Sequence, residues 1–404
     1  MKNLNTLIVK IFLPAALYEI AIGAITPMIA IAALNLQASV AVASVVAALL
    51  GVGQIVGDIP AGKLATAHGD RLAMIYGSLG SFVCLVLCFF APNYFILGLG
   101  IFFIGGINAI FMLARQGYVI EITPEKYTSR ALSTLGGMTR IGLLAGPFLG
   151  SATISVWGLN SIYILSIIIV VLTLITLLAF TDVDSKTGKK FAKSGAKKRK
   201  VEQKNISSRW IFQTHRNIFF TLGLTILIIG AIRAIRQVGI PLWSQSQGIS
   251  ESDVSLIFGI SSLFDCLLFY PSALIMDHFG RLWSSVPSML IMAAGLAWLP
   301  FTHSFASICI CSIVIGIGNG LGTGIIMTLA ADVAPPEYRA NFLGLWRIFS
   351  DSGNAIGPLL VSVGTTALTL GTTIFISSFL GVAAVIMLFI FAPKYSKKAN
   401  LVHI

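Results

Sequence analysis

The sequence predicts an all-α polytopic membrane protein with twelve transmembrane helices in two parallel six-helix repeats. Composition excludes a soluble domain, because 56% of the 404 residues are hydrophobic and only 10% are charged, whereas soluble domains carry about 25% charged residues. Apolar stretches near the length of a membrane helix, about 20 residues, recur along the chain. Glycine and proline residues occur at equivalent positions in the two halves, which indicates an internal repeat.

Twelve spans are predicted and are numbered here in chain order. Glu19 interrupts the apolar run of the first one and no small-residue cleavage site follows, so this segment is predicted to be a span rather than a secretory signal. The spans cover residues 7–34, 40–64, 72–91, 94–121, 130–156, 161–180, 217–245, 252–276, 282–301, 305–331, 341–364 and 372–392.

Basic residues predict the orientation of the chain. The loops that connect consecutive spans are numbered in chain order. The odd-numbered loops contain no Lys or Arg, whereas the even-numbered loops and the termini hold 22 of the 27 basic residues. The positive-inside rule therefore predicts a multi-pass protein of the plasma or inner membrane with both termini in the cytoplasm. The run KSGAKKRK (193–200) is interpreted as a basic linker beside anionic lipid, and not as a nucleic-acid-binding patch.

An offset of 211 residues aligns the two halves without gaps. It places Pro60 on Pro271, and the stretch GLLAGPFLGS (142–151) on GNAIGPLLVS (353–362). The halves are therefore parallel repeats. The predicted domains are an N-terminal six-helix bundle (1–180), a basic cytoplasmic linker (181–216) and a C-terminal six-helix bundle (217–404).

The repeated stretch contains a predicted helix-packing motif. Glycines four residues apart leave a groove without side chains, which another helix can approach closely. A proline in a membrane helix frees one carbonyl and permits a bend. We expect the grooves to form a contact between the two halves. Their residues are Gly142, Gly146, Pro147, Gly150, Gly353, Gly357 and Pro358.

Charged residues within the spans predict the transport pathway, because a charge in the membrane is costly and usually faces the protein interior. Spans 3, 6, 9 and 12 contain none, and we expect these four to face lipid. The candidate residues for proton coupling and for the cavity are Glu19, Arg140, Arg233, Arg236, Asp265, Asp351 and Asn319.

Glu19 is the first candidate for proton coupling, because it is the only acidic residue of span 1. Its expected counter-charge is Arg233, Arg236 or Arg140, and aligning Pro27 with Pro241 would place it opposite Arg233. A permanent ion pair is the alternative interpretation. Asp265 is the second candidate.

Other charges are expected near the cytoplasmic face. Counting about 1.5 Å per residue along a helix places Arg115 and Arg347 there, where a static structural pair is the favoured interpretation. Asp58 is expected to pair with a basic residue of span 11 and to hold the cytoplasmic side shut.

The twelve spans in two parallel repeats resemble the Major Facilitator Superfamily. That superfamily carries a Gly-x-x-x-Asp-x-x-Gly-Arg type loop after spans 2 and 8, and GKLATAHGDR (62–71) and ALIMDHFGR (273–281) occupy those places here. Thr66 stands where the acid belongs in the first copy, and Asp58 is the candidate substitute. The resemblance implies gating and cytoplasmic ion pairs at Asp58, Arg71, Arg115, Asp277, Arg281 and Arg347.

Residues 142–151 also resemble the Gly-x-x-x-Gly-Pro-x-x-Gly-Gly signature of span 5 in drug–proton antiporters, with Ser151 in place of the last glycine. This resemblance implies a monomeric secondary transporter that alternates access and exports a small organic molecule in exchange for protons. Two alternatives stay open. The first is uptake of an anionic solute, which is favoured by an excess of intramembrane arginines, five against four acids. The second is a membrane receptor or scaffold without a transport cycle.

No pattern indicates an enzyme. GDIPAGKL (57–64) departs from a P-loop because Leu64 replaces the Ser or Thr that would hold magnesium, and because it ends a membrane helix. GIGNGLGTG (316–324) lacks the strand–turn–helix context of a dinucleotide loop and indicates close helix packing. We expect no cofactor and no metal. The expected partners are a small-molecule substrate, protons and membrane lipids.

Overall fold

A computed structural model of the chain describes residues 11–123, 127–179 and 208–396. Within these ranges the regular structure is helical and contains no strand. The predicted all-α fold is confirmed. Most of the predicted linker, up to residue 207, lies outside the described residues.

In the N-terminal half each predicted span coincides with helical structure. Span 1 has a 3₁₀ turn at Thr26–Met28, where Pro27 removes a backbone donor. The bounds are Leu13–Ile25, Thr26–Met28 and Ile29–Asn35 for span 1, Val40–His68 for span 2, Asp70–Phe89 for span 3, Tyr94–Ile122 for span 4, Thr128–Trp157 for span 5 and Ser161–Ala179 for span 6.

The C-terminal half begins with a short helix at Ser208–Thr214 and then follows the predicted spans. The bounds are Arg216–Ile218, a π-helical turn at Phe219–Gly223 and Leu224–Ser246 for span 7, Glu251–His278 for span 8, Arg281–Trp298 and Leu299–Phe301 for span 9, Phe305–Leu321 and Ile325–Val333 for span 10, Arg339–Ala367 for span 11, and Leu370–Tyr395 for span 12.

Ten helical stretches among the described residues are long and apolar enough to cross a membrane. The helices at spans 5 and 11 are not among these ten, although they are 30 and 29 residues long. They contain Arg140, Arg347 and Asp351, and they are the least apolar of the long helices. The chain is a multi-pass membrane protein, and the number of twelve crossings stays a prediction.

The loops before spans 3 and 9 require glycine. Gly69 and Gly280, which correspond under the offset of 211, have φ angles of 86° and 102°. Residues with a side chain rarely adopt this conformation, because the Cβ atom clashes with the backbone. The two loops that the sequence aligned therefore make the same backbone turn.

Span 10 is interrupted, whereas one continuous span over 305–331 was predicted. Its first helix ends at Leu321, and Gly324 has a φ angle of 86° before the second helix begins. Side chains from spans 8 and 9 satisfy the freed carbonyl of Leu321, which accepts hydrogen bonds from the hydroxyls of Ser272, at 2.5 Å, and Ser284. A break at membrane depth is tolerated where neighbouring helices satisfy the backbone in this way.

The described residues fall into two compact units. One contains the residues up to 29 and those from 49 to 179, and the other contains 30–48 and the residues from 208 onward. The end of span 1 and the start of span 2 thus group with the C-terminal half. The three predicted domains stay a prediction, and the candidate sites are described within each unit.

Candidate functional site

The glycines of span 5 pack against span 1 within the first unit. A Cβ atom added to Gly146 would stand 2.5 Å from the backbone nitrogen of Ala24 and 2.6 Å from the carbonyl oxygen of Ile20. At Gly142 it would stand 2.7 Å from the carbonyl oxygen of Ala16. Because backbone atoms cannot rotate aside as a flexible side chain can, both positions require glycine. Pro147 and Gly150 are buried in the same helix.

The corresponding glycines of span 11 pack against span 7 within the second unit. A Cβ atom on Gly353 would meet the carbonyl oxygen of Leu227, and one on Gly357 would meet that of Ala231. Pro358 is buried beside them. The expectation that the two grooves join the halves is therefore wrong. Each groove joins two helices of its own half.

These contacts also decide between the two sequence alignments. Ala16 and Ile20, which span 5 touches, correspond under the offset of 211 to Leu227 and Ala231, which span 11 touches. The same offset places Glu19 at the position of Gly230. The alternative alignment, which placed Glu19 opposite Arg233, is incorrect at this contact.

Glu19 forms an ion pair with Arg115 in the first unit. The Oε1 atom of Glu19 lies 2.8 Å from the Nη1 atom of Arg115, and the two side chains are 4% and 3% exposed. The expected partners were Arg140, Arg233 or Arg236, so the assigned counter-charge was wrong. Counting rise per residue placed Arg115 near the cytoplasm, and it was therefore not considered as the partner of Glu19.

The surroundings of this pair are tightly packed. The Cβ atom of Glu19 lies over Gly142, which is why a side chain at 142 would collide with it. The hydroxyl of neighbouring Tyr18 lies 2.8 Å from that of Ser81, and the Tyr18 ring stacks on Phe111 at 3.8 Å. Residues of spans 3, 4 and 5 thus pack closely around Tyr18 and Glu19 of span 1.

Asp265 is the centre of a polar cluster in the second unit. Its Oδ2 atom accepts a hydrogen bond from Asn319 at 2.6 Å and lies 3.5 Å from the Nη1 atom of Arg236. Arg236 also donates to the hydroxyl of Ser261 at 3.2 Å. Gly320 permits the approach of spans 8 and 10, since a Cβ atom there would stand 2.7 Å from the carbonyl oxygen of Asp265.

The other membrane charges of the second unit have local partners. Arg233 donates to the carbonyl oxygen of Gly322 at 2.7 Å, at the break in span 10. Arg347 donates to Asp351, one turn along the same helix, at 3.1 Å. Asp351 was predicted as a cavity residue and Arg347 as a gating residue. The structure joins them in one pair.

The loop after span 8 forms an ion-pair network. Arg281, whose side chain is 8% exposed, lies 3.2 Å from Asp332 and 3.4 Å from Asp277. Ser396 donates a hydrogen bond to Asp332 at 2.7 Å. The candidates predicted from the sequence include Arg281 and Asp277 but not Asp332, which corresponds to the acidic Glu121 under the offset of 211.

The corresponding residues of the first unit are arranged differently. Arg71 donates to the carbonyl oxygen of Leu177 at 2.7 Å, which joins the start of span 3 to the end of span 6. Asp58 and Arg140 are half-buried in spans 2 and 5. The expected pairing of Asp58 with a basic residue of span 11 stays a prediction.

Within the described ranges, no three His, Cys, Asp or Glu side chains come together as metal ligands would. The clusters around Glu19 and Asp265 instead combine one carboxylate with one guanidinium. Such groups can exchange protons or bind a charged solute by ion pairing.

Comparisons with known proteins agree on the family. A model of the Major Facilitator Superfamily matches residues 11–238 and 222–402. A multi-drug resistance efflux pump PmrA homolog from Lactococcus lactis is 26% identical over 357 residues, which are 84% of this chain and 82% of the relative. A class H tetracycline resistance protein from Pasteurella multocida is 22% identical over 370 residues, with 88% of each chain covered.

Solved structures share the fold. A POT family transporter, solved with a thioalcohol-conjugated peptide, superposes with a TM-score of 0.76 at 14% identity and covers 97% of this chain and 96% of its own. A nucleoside transporter superposes with a TM-score of 0.76 at 14% identity and covers 95% of this chain and 100% of its own.

Proposed function

Because the chain belongs to the Major Facilitator Superfamily, we propose that it is a secondary active transporter that works by alternating access and exports a small organic molecule in exchange for protons. The names of the relatives support export, since they describe a multi-drug efflux pump and a tetracycline resistance protein. We propose further that it acts as a monomer in the cell membrane, with both termini and the basic linker in the cytoplasm beside anionic lipid.

The buried pair of Glu19 and Arg115 carries this proposal. A buried ion pair stabilises a protein only when further hydrogen bonds satisfy the remaining polar atoms, because the desolvation of two charges is costly. Here the Nε atom of Arg115 is buried and has no hydrogen-bond partner among the described residues. The hydrogen bonds that would offset the desolvation of the pair are therefore incomplete, and this favours a functional role.

Protonation of Glu19 supplies the coupling step. A proton that binds to the carboxylate removes its charge and with it the attraction on Arg115, so the relative free energies of the conformational states change. When the proton leaves toward the opposite side, the pair forms again. The carboxylate is thus the proton carrier and Arg115 is its counter-charge.

The remaining charges have supporting roles in this proposal. Arg140, Arg233, Arg236, Asp265 and Asn319 contribute to the polar pathway. The cytoplasmic pairs, including Asp58, Arg71, Asp277 and Arg281, hold loops in place between conformational states. Three of the five membrane arginines have a carboxylate partner, in the pairs Glu19–Arg115, Asp265–Arg236 and Asp351–Arg347, and this weakens the case for uptake of an anion.

Inverted membrane vesicles test the function. We expect respiring vesicles with the protein to accumulate at least one member of a panel of cationic and anionic fluorescent dyes, and an uncoupler to abolish this accumulation. Accumulation of anionic dyes in right-side-out vesicles alone would instead indicate uptake of an anion. No gradient-dependent movement of any dye in either orientation would contradict a transport function.

A further inference from the structure

The carboxylate of Asp265 is more accessible than that of Glu19. Its side chain is 15% exposed, against 4% for Glu19. Its contact with Arg236 is also longer, at 3.5 Å against 2.8 Å. Of these two acids, Asp265 is therefore the one that a ligand can reach with the smaller rearrangement.

Arg236 does not depend on Asp265 alone for its contacts. It donates to the hydroxyl of Ser261 at 3.2 Å, and its guanidinium carbon lies 5.3 Å from the centre of the Phe258 ring. A cation–π contact of this kind stabilises a buried guanidinium. A ligand that takes the place of Arg236 at Asp265 would therefore leave Arg236 with two partners.

Asn319 adds an unused hydrogen-bond acceptor to this cluster. Its Nδ2 atom donates to Asp265 at 2.6 Å, while its Oδ1 atom is buried and has no hydrogen-bond partner among the described residues. A buried acceptor without a donor is costly and rare in native structures. The Oδ1 atom of Asn108, at the equivalent place in the other half, is also buried without a partner among the described residues, so the feature that distinguishes Asn319 is the adjacent carboxylate of Asp265.

A comparison of the two repeats shows that the acidic residue is present in the second half only. Under the offset of 211, Asp265 and Asn319 correspond to Gln54 and Asn108. The backbone of spans 2 and 4 approaches in the same way, since Gly105 lies against Leu50 as Gly316 lies against Ser261. The asparagine and the close helix packing occur in both halves, whereas the acid occurs in the second half only, so packing does not explain Asp265.

We propose that Asp265 and Asn319 bind the protonated amino group of the transported substrate. The ammonium forms an ion pair with the Asp265 carboxylate, in place of Arg236, and donates an N–H hydrogen bond to the Oδ1 atom of Asn319. The site therefore selects primary, secondary or tertiary amines over quaternary ammonium ions, which have no N–H group. The inference deepens the proposed export function, because it names the class of substrate.

Three size-matched probes test the inference with the purified full-length protein by isothermal titration calorimetry. Diphenhydramine is a protonated tertiary amine at neutral pH, its N-methyl derivative is a quaternary ion, and diphenylacetate is an anion. We expect the wild-type protein to bind the amine about tenfold more tightly than the quaternary ion, because one charge-assisted hydrogen bond is lost. Diphenylacetate should bind more weakly than either.

Variants assign the effect to the two residues. We expect Asp265→Asn to lower the affinity for the amine about a hundredfold and Asp265→Glu, which keeps the charge, to restore part of it. Asn319→Leu should bind the amine no more tightly than the quaternary ion. Asn108→Leu, at the equivalent place in the other half, should keep the wild-type preference. Thermal unfolding of each variant checks that it is folded.

Several results would overturn the inference. They are amine affinity in Asp265→Asn within threefold of the wild-type value, tighter binding of diphenylacetate than of the amine, equal binding of the amine and the quaternary ion, or no binding of the amine. These outcomes differ from a failure of the export proposal. If no gradient drives transport but amine binding still requires Asp265, the binding site stands and the export function falls.

Discussion

Gly146 of span 5 lies directly against Gly23 of span 1, where a Cβ atom added to Gly146 would stand 2.6 Å from the carbonyl carbon of Gly23. No side chain separates the two helices at this point. The arrangement recurs at Gly357 and Ala234 in the other half, 211 residues further on, where a Cβ atom on Gly357 would stand 2.7 Å from that of Ala234. The motif therefore mediates close packing between the first and fifth spans of each repeat.

Gly146→Ala should destabilise the protein, because the added methyl group overlaps the backbone of span 1 and forces the helices apart. Overpacking of this size lowers the thermal midpoint by about 5 °C, which thermal unfolding in detergent measures. Gly136→Ala on the same helix is the matched control, since its Cβ atom would meet nothing within 4 Å. Equal midpoints for the two variants would contradict the close contact.

Gly324→Ala should impair transport through backbone strain alone. Its φ angle of 86° disfavours any residue with a side chain, while the added methyl group would meet only Met276 at 3.6 Å, an ordinary contact. We expect a loss of about 1–2 kcal/mol in stability or a straightened span 10. Gly324→Asn, which tolerates this conformation better, should recover part of the loss. If Gly324→Ala matches the wild type in both stability and dye transport, the break is unimportant.

Asp332→Asn should destabilise the protein more than Asp277→Asn, although both acids contact Arg281. The Asp332 side chain is 12% exposed and that of Asp277 is 73% exposed. Removal of a buried partner lowers the free energy of unfolding by about 3 kcal/mol, because Arg281 stays buried without its counter-charge. An exposed pair contributes about 1 kcal/mol or less to that free energy. Thermal unfolding of the two variants compares them directly. The reverse order would show that Asp277 is the principal partner.

Reporter fusions test the predicted orientation. A reporter that is active only in the cytoplasm should work after Thr187 and after Lys398, which lie outside the described residues. A reporter that is active only outside the cytoplasm should work at Asn160, in the turn between spans 5 and 6. Activity of the cytoplasmic reporter at Asn160 would overturn the predicted orientation.

The sequence was sufficient to predict the helices and the repeat, because apolar length and the spacing of glycine and proline are recorded directly in it. It could not predict which charges pair. Counting rise along a helix gives the depth of a Cα atom, but it does not show which side chain of a neighbouring helix an arginine contacts, as Arg115 contacts Glu19. It also could not separate close packing from a helix break in residues 316–324, since both use glycine and only the φ angle of Gly324 distinguishes them.

Glu19 is proposed to carry the coupled proton and not to be part of a permanent pair. Glu19→Gln leaves the buried Arg115 without its counter-charge, so a loss of transport by this variant alone would not separate the two interpretations. The double variant Glu19→Gln with Arg115→Gln removes both buried charges and should restore stability. It therefore isolates the role of the proton.

The most direct measurement compares these variants in proteoliposomes by two assays of one transported dye, accumulation driven by a pH gradient and exchange without a gradient. We predict that the double variant is as stable as the wild type and exchanges dye, but does not accumulate it when a pH gradient is imposed. Gradient-driven accumulation by the double variant, with the pH dependence of the wild type, would contradict the account and show that Glu19 and Arg115 are a structural pair.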